Sequence, residues 1–204
     1  EEATGGNGPY FYQWRETKFS VNYETGDTTI IYHDRIVNDE NGNAVDSVGL
    51  TVTLTESGEY VYYRRAQDSF CDKKDEWHPS IVDKSTTNLK YIESQKRIVI
   101  FDVFSAGRIE SGEYNYCDPA EATITIKEDT VCAGGDGRYL YRWLCNGVLI
   151  DGAEDKELNL STITFNYAQE YTFVRQTKDQ SGYADWVQSE GSVKINIYKS
   201  HDAG

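Results

Sequence analysis

The chain has 204 residues, with 34 acidic against 20 basic side chains and a net charge of −14, a length that suits one large domain or two of about 100 residues. A pI near 4.6 excludes sequence-independent binding to phosphate backbones or anionic lipid, because both require a basic face. At 38% hydrophobic and 13% aromatic residues this is a folding chain and not a disordered acidic tail, and no apolar run approaches the roughly 18–20 residues of a membrane helix.

In chain order, the ordered stretches are short, β-branched or aromatic, and bounded by turn residues. Residues 10–14, 28–32, 50–54 and 60–64 read as strands, followed by 97–103, 122–126, 139–143, 171–175 and 192–198. Most alternate with period two, the pattern of strands with one buried and one wet face. Asn41-Gly42 and Asn146-Gly147 are strong hairpin-turn dipeptides. Only a few stretches, such as residues 153–160, could hold a helical turn. The fold class expected is all-β, and short strands so spaced favour a sandwich.

An internal repeat organises these strands. Gly5-Gly6-Asn7-Gly8-Pro9-Tyr10-Phe11-Tyr12-Gln13-Trp14 recurs as Gly134-Gly135-Asp136-Gly137-Arg138-Tyr139-Leu140-Tyr141-Arg142-Trp143, 129 residues later. Glu59-Tyr60-Val61-Tyr62-Tyr63-Arg64, running on to Asp68, matches Glu170-Tyr171-Thr172-Phe173-Val174-Arg175, running on to Asp179, 111 residues later. Trp77 with Ser80 matches Trp186 with Ser189, the final strands also correspond, and Ser105-Ala106-Gly107 echoes Asp202-Ala203-Gly204. Five matches in conserved order point to two diverged copies of one module, residues 1–105 and 106–204. Each copy carries a net charge of −7, so neither is electrostatically specialised.

The Gly-Gly-x-Gly-x-Tyr-x-Tyr-x-Trp stretch and the later Tyr-x-Tyr-Tyr-Arg-Arg with Cys71 resemble the tandem immunoglobulin-like repeats of large Bacteroidetes surface and secreted proteins. Gly107-Arg108-Ile109 and Cys117 resemble the opening of such a module. The resemblance implies two tandem immunoglobulin-like β-sandwich modules, an exported multi-domain parent, an extracellular or cell-surface location, and an adhesive or spacer role. It brings no catalytic residues. Trp14 and Trp143 would hold the third-strand position where such sandwiches bury a tryptophan.

Cys71, Cys117, Cys132 and Cys145 are an even set without a Cys-x-x-Cys, which argues for disulfides over zinc. A Cys132–Cys145 bridge and a pair of buried free thiols both fit, and at least one disulfide is expected. His33, His78 and His201 are scattered and lie in no nucleophile or metalloprotease motif. Asp39, Asn41 and Asn43 match the first three ligand positions of an EF-hand loop, but Ala44 replaces its glycine and Leu50 its bidentate Glu. A solvated hairpin tip accounts for the same residues, so no metal and no cofactor is assigned.

The function expected is therefore non-catalytic: an adhesive or spacer segment whose partners are the other domains of its parent and a host or environmental glycan or protein, with no nucleic acid and no membrane insertion of these residues. The alternative is a glycan-binding module that stacks sugar rings on exposed aromatics, with Trp77 and Tyr63 as its binding residues. The chain opens on Glu1 with no signal-peptide pattern and reads as a processed or excised piece. The second copy has 27 residues, 107–133, ahead of its Gly-Gly turn, against four in the first. The first module is thus expected to lack its leading strands. It would then be completed by an insertion, best at residues 88–92, or pair its open edge with another chain.

Overall fold

A computed structural model describes residues 9–68 and 95–199, which are almost entirely extended. The chain divides into two compact units between Ile100 and Phe101. The protein is all-β, built from several mainly antiparallel sheets, and its helical pieces among the described residues are single 3₁₀ turns at Pro119–Glu121 and Leu160–Thr162.

The first unit holds β1 (Tyr10–Val21), β2 (Thr28–Ile36), β3 (Gly58–Asp68) and β4 (Lys96–Ile100). They form one antiparallel sheet in the order β2-β1-β3-β4. Alternation sorts its side chains. Glu16, Lys18, Tyr60 and Tyr62 share one face, and Thr17, Phe19, Val61 and Tyr63 share the other. The register of β1 on β2 slips around Lys18, and Asp34 takes a left-handed backbone there, with φ 55°.

The second unit comprises β5 (Asp102–Ser105), β6 (Arg108–Ile109), β7 (Gly112–Tyr116), β8 (Thr125–Ile126), β9 (Glu128–Thr130) and β10 (Ala133–Gly135). It continues with β11 (Tyr139–Cys145), β12 (Val148–Leu149), β13 (Leu158–Asn159), β14 (Gln169–Asp179), β15 (Val187–Gln188) and β16 (Val193–Ile197). Its main sheet runs β12-β11-β14-β16-β7, with β7 parallel to β16. The pairs β13–β8 and β6–β9 supply a second layer. Between the layers lies an apolar core that includes Ile109, Ile126, Trp143, Leu158, Leu160, Phe173, Val193 and Ile195.

The repeat read from the sequence is present in the backbone register. Tyr10 pairs with Asp68 and Trp14 with Arg64, and their counterparts Tyr139 and Trp143 pair with Asp179 and Arg175. The side chains repeat as well. The Trp14 indole N–H donates to the carbonyl of Ser47 at 2.9 Å, and Arg64 donates to the next carbonyl, that of Val48, at 2.8 Å. In the second unit Trp143 donates to Asp155 at 2.9 Å and Arg175 to the next carbonyl, that of Lys156, at 2.9 Å. Each arginine also lies over the tyrosine two residues before its tryptophan, Tyr12 and Tyr141.

Several expected elements differ in detail. The strand read over residues 97–103 breaks at Phe101, because residues 102–105 hydrogen-bond to β10 in the second unit; the boundary read at residues 105 and 106 therefore falls inside that unit. Among the described residues, 50–55, read as a strand over 50–54, belong to no ladder. Asn146-Gly147 forms the tight hairpin turn, with both residues at positive φ, whereas Asn41-Gly42 tips a longer turn between the bridged residues Asn38 and Ala44. Trp143 is fully buried, while Trp14 is half-buried. The insertion at residues 88–92 lies outside the described residues.

Candidate functional site

The most unusual chemistry in the first unit is a carboxylate on the covered face of its sheet. β1 carries Glu16 opposite Tyr62 of β3 and Arg35 of β2. Glu16 is 6% exposed, and an isolated charge so placed would be costly. Its Oε1 accepts from the hydroxyls of Tyr32 at 2.7 Å and Tyr62 at 2.9 Å, and its Oε2 accepts from the Arg35 guanidinium at 2.8 Å. Arg35 in turn lies 3.9 Å over the Tyr32 ring. Burial pushes the carboxyl up, but the donors from Tyr32, Arg35 and Tyr62 outweigh it and hold Glu16 below the usual carboxylate range. Burial and the neighbouring carboxylate push both phenols up, so they remain protonated donors.

These side chains floor an open groove of about 880 Å³. Its far wall is the stretch 49–56, and its lining includes Asp39, Glu40 and Glu56. Lys18, beside the floor, is paired with Glu56 at 2.6 Å and stands over Tyr60. Asp39 accepts from the backbone N–H groups of Asn43 and Asn41 at 2.8 and 2.9 Å, which lowers its pKa and closes the hairpin tip on itself. Among the described residues no group of three or more His, Cys, Asp or Glu is placed to hold a metal ion.

In the second unit the equivalent face is dry. Cys145 and Phe173 stand where the repeat puts Glu16 and Tyr62. Its charged centre is Arg175, fully buried, which donates to Glu128 at 2.8 Å, to Lys156 O and to Ser189 Oγ at 3.0 Å. Ser189 Oγ in turn donates a hydrogen bond to Ala106 O at 2.8 Å. That network is closed and holds the layers together.

Two sequence-derived sites need correction. Tyr63 is 2% exposed; its hydroxyl donates to Asp34, and burial followed by that carboxylate pushes its phenol up to about 12. Its ring has no free face for a sugar. The Cys132–Cys145 bridge is not formed: Cys117, Cys132 and Cys145 are all free. The Cys132 thiol lies against Thr177 and donates to Ala106 O at 3.3 Å, while Cys145 sits opposite Phe173. Four residues of strand separate those positions, about 13 Å at ~3.3 Å per residue, beyond the roughly 7 Å that a disulfide spans. Trp77 and Cys71 lie outside the described residues. Trp186 is half-buried beneath the Arg142 guanidinium at 4.3 Å.

The sequence reading missed Glu16, although the signal was present. Aligned on the tryptophans, the repeat places it at a position that is Cys145 in the other copy, a charged residue on a core-facing position. Comparison with protein-family models and with curated protein sequences found no match.

Proposed function

We propose that the chain is a non-catalytic pair of tandem immunoglobulin-like modules, serving as an adhesive or spacer segment of a larger exported protein. The observation that carries this reading is the repeated tie of Trp14 and Arg64 to the carbonyls of Ser47 and Val48, and of Trp143 and Arg175 to those of Asp155 and Lys156. Both copies keep a tie that fixes a loop to a sheet and carries no reacting group. In the second unit, a core tryptophan on β11, the neighbouring β14 and the parallel β7–β16 pairing fit an immunoglobulin-like arrangement of two layers. A fold supports many functions, so the role itself must be tested. Surface biotinylation of intact cells should label the parent protein, and panels of peptide, ester and glycoside substrates should show no turnover. Specific turnover abolished by one point substitution would overturn the reading. The glycan alternative is left with Trp77, since Tyr63 is enclosed; a glycan array repeated with Trp77→Ala tests it.

A further inference from the structure

The two units differ at one place in a way that identifies a binding site. The paired carbonyls of Ser47 and Val48 and of Asp155 and Lys156 set an offset of 108 residues, which aligns Leu50 with Leu158 and Val52 with Leu160. In the second unit this wall opens as a paired strand, Leu158–Asn159, and turns into the 3₁₀ turn Leu160–Thr162. Leu158 pairs with Ile126, and the N–H of Leu160 donates to Ile124 O at 2.9 Å. Leu158, Leu160, Ile126 and Ala122 are all buried as a result. In the first unit, residues 50–55 alternate outward threonines with Leu50, Val52 and Leu54, all three only half-buried. Among the described residues their backbone has no ladder partner. The open groove of about 880 Å³ runs along this wall.

We propose that this groove is an acceptor for an extended segment of a partner polypeptide, which adds as a β-strand along residues 50–55. The backbone of the wall supplies the hydrogen bonds and alternate side chains supply specificity. Six residues give about 17–20 Å of strand, an ordinary strand length. The side chains facing the groove call for aliphatic residues at every second position against Leu50, Val52 and Leu54. The charges call for a basic flank: Arg35 and Lys18 are already paired with Glu16 and Glu56, while Asp39 and Glu40 in the lining belong to a chain of net charge −14. That charge disfavours a second copy as the occupant. Tyr60 and Tyr62 are each 3% exposed, so the floor offers no ring face to a sugar. The site goes beyond the adhesive or spacer reading and stands or falls separately from it.

The chain's own β8 segment, residues 122–127 (Ala-Thr-Ile-Thr-Ile-Lys), is the natural probe, synthesised with one lysine added at each end. It should bind the full chain saturably and slow amide exchange at residues 51–55 at least tenfold. A peptide of the same composition with its isoleucines adjacent should not. Val52→Pro, at the position of Leu160 whose N–H bonds to β8 in the second unit, should abolish the effect, and Leu50→Asp should weaken it; unchanged exchange in β1 and β3 shows that each variant is folded. The proposal is overturned if the peptide leaves exchange at residues 51–55 unchanged, or if the rearranged peptide or Val52→Pro behaves like the original. It is also overturned if exchange there is already slow in the peptide-free chain, slows with chain concentration alone, which would assign the groove to a second copy, or slows with a glycan instead.

Discussion

At the scale of single residues, the two tryptophans separate what the repeat conserves from what it has relaxed. Both hold the same register and make the same indole bond to a loop carbonyl, yet only Trp143 is fully enclosed. Trp143→Ala should cost roughly 3–5 kcal/mol of stability in urea unfolding. Trp14→Ala should cost clearly less, because solvent already reaches that ring; equal losses would show that the two sites are energetically alike. Glu16 supports a pH prediction. Its folded pKa lies below its unfolded value, so its contribution is present above the unfolded carboxylate pKa, near 4.5, and is lost as pH falls through the folded pKa. Glu16→Gln should lower the stability of the first unit at neutral pH and flatten its acid dependence. A variant with an unchanged acid profile would remove Glu16 from the account.

At the scale of elements, composition and alternation made the strands legible, because period-two patterning is a property of the local chain. The hairpin at Asn146-Gly147 was legible for the same reason: two positive φ angles require those residue types. What the local pattern does not contain is pairing. Residues 50–54 and 122–126 look alike in sequence, but only the second finds a ladder, through Thr125 and Ile126. The strand read at residues 97–103 is divided because its two ends bond to different sheets. The cysteine count suggested a bridge, but spacing along the chain does not report distance across a sheet. Thiol chemistry checks this directly. Native labelling should modify Cys117, which is exposed, while Cys132 should react only on unfolding. Peptide mapping without reductant should find no Cys132–Cys145 link; finding one would overturn the assignment of both thiols. The groove was partly legible. An open edge was one of two expectations from the 27 against four leading residues of the copies, the other being completion by residues 88–92, which lie outside the described residues; the polar floor became visible only when Glu16 was set against Cys145.

At the scale of the whole molecule, two copies of one module have different interiors, and the difference predicts an order of unfolding. The second unit buries Trp143, Phe173, Leu160, Ile109 and Ile195 between layers with essentially no exposure, and its fully buried charge, Arg175, has a carboxylate and neutral acceptors on several sides. Removing such apolar area from water is the main favourable contribution to folding. The first unit spends the corresponding positions on Glu16 and Tyr62, keeps Leu50, Val52 and Leu54 half-exposed, and leaves a groove along them. Hydrogen bonds and an ion pair in that floor offset the desolvation of the groups that make them and add little beyond it. The first unit should therefore open at lower urea concentration than the second. It should open earlier still under acid, as Glu16 takes up a proton. Hydrogen exchange followed by mass spectrometry across a urea series reads both units in one sample. Amides of β1 and β3 should lose protection before those of β11 and β14 at pH 7, with a wider gap at pH 4. Loss of protection at one common urea concentration, or a gap that does not respond to pH, would show that the polar floor of the first unit does not set its stability.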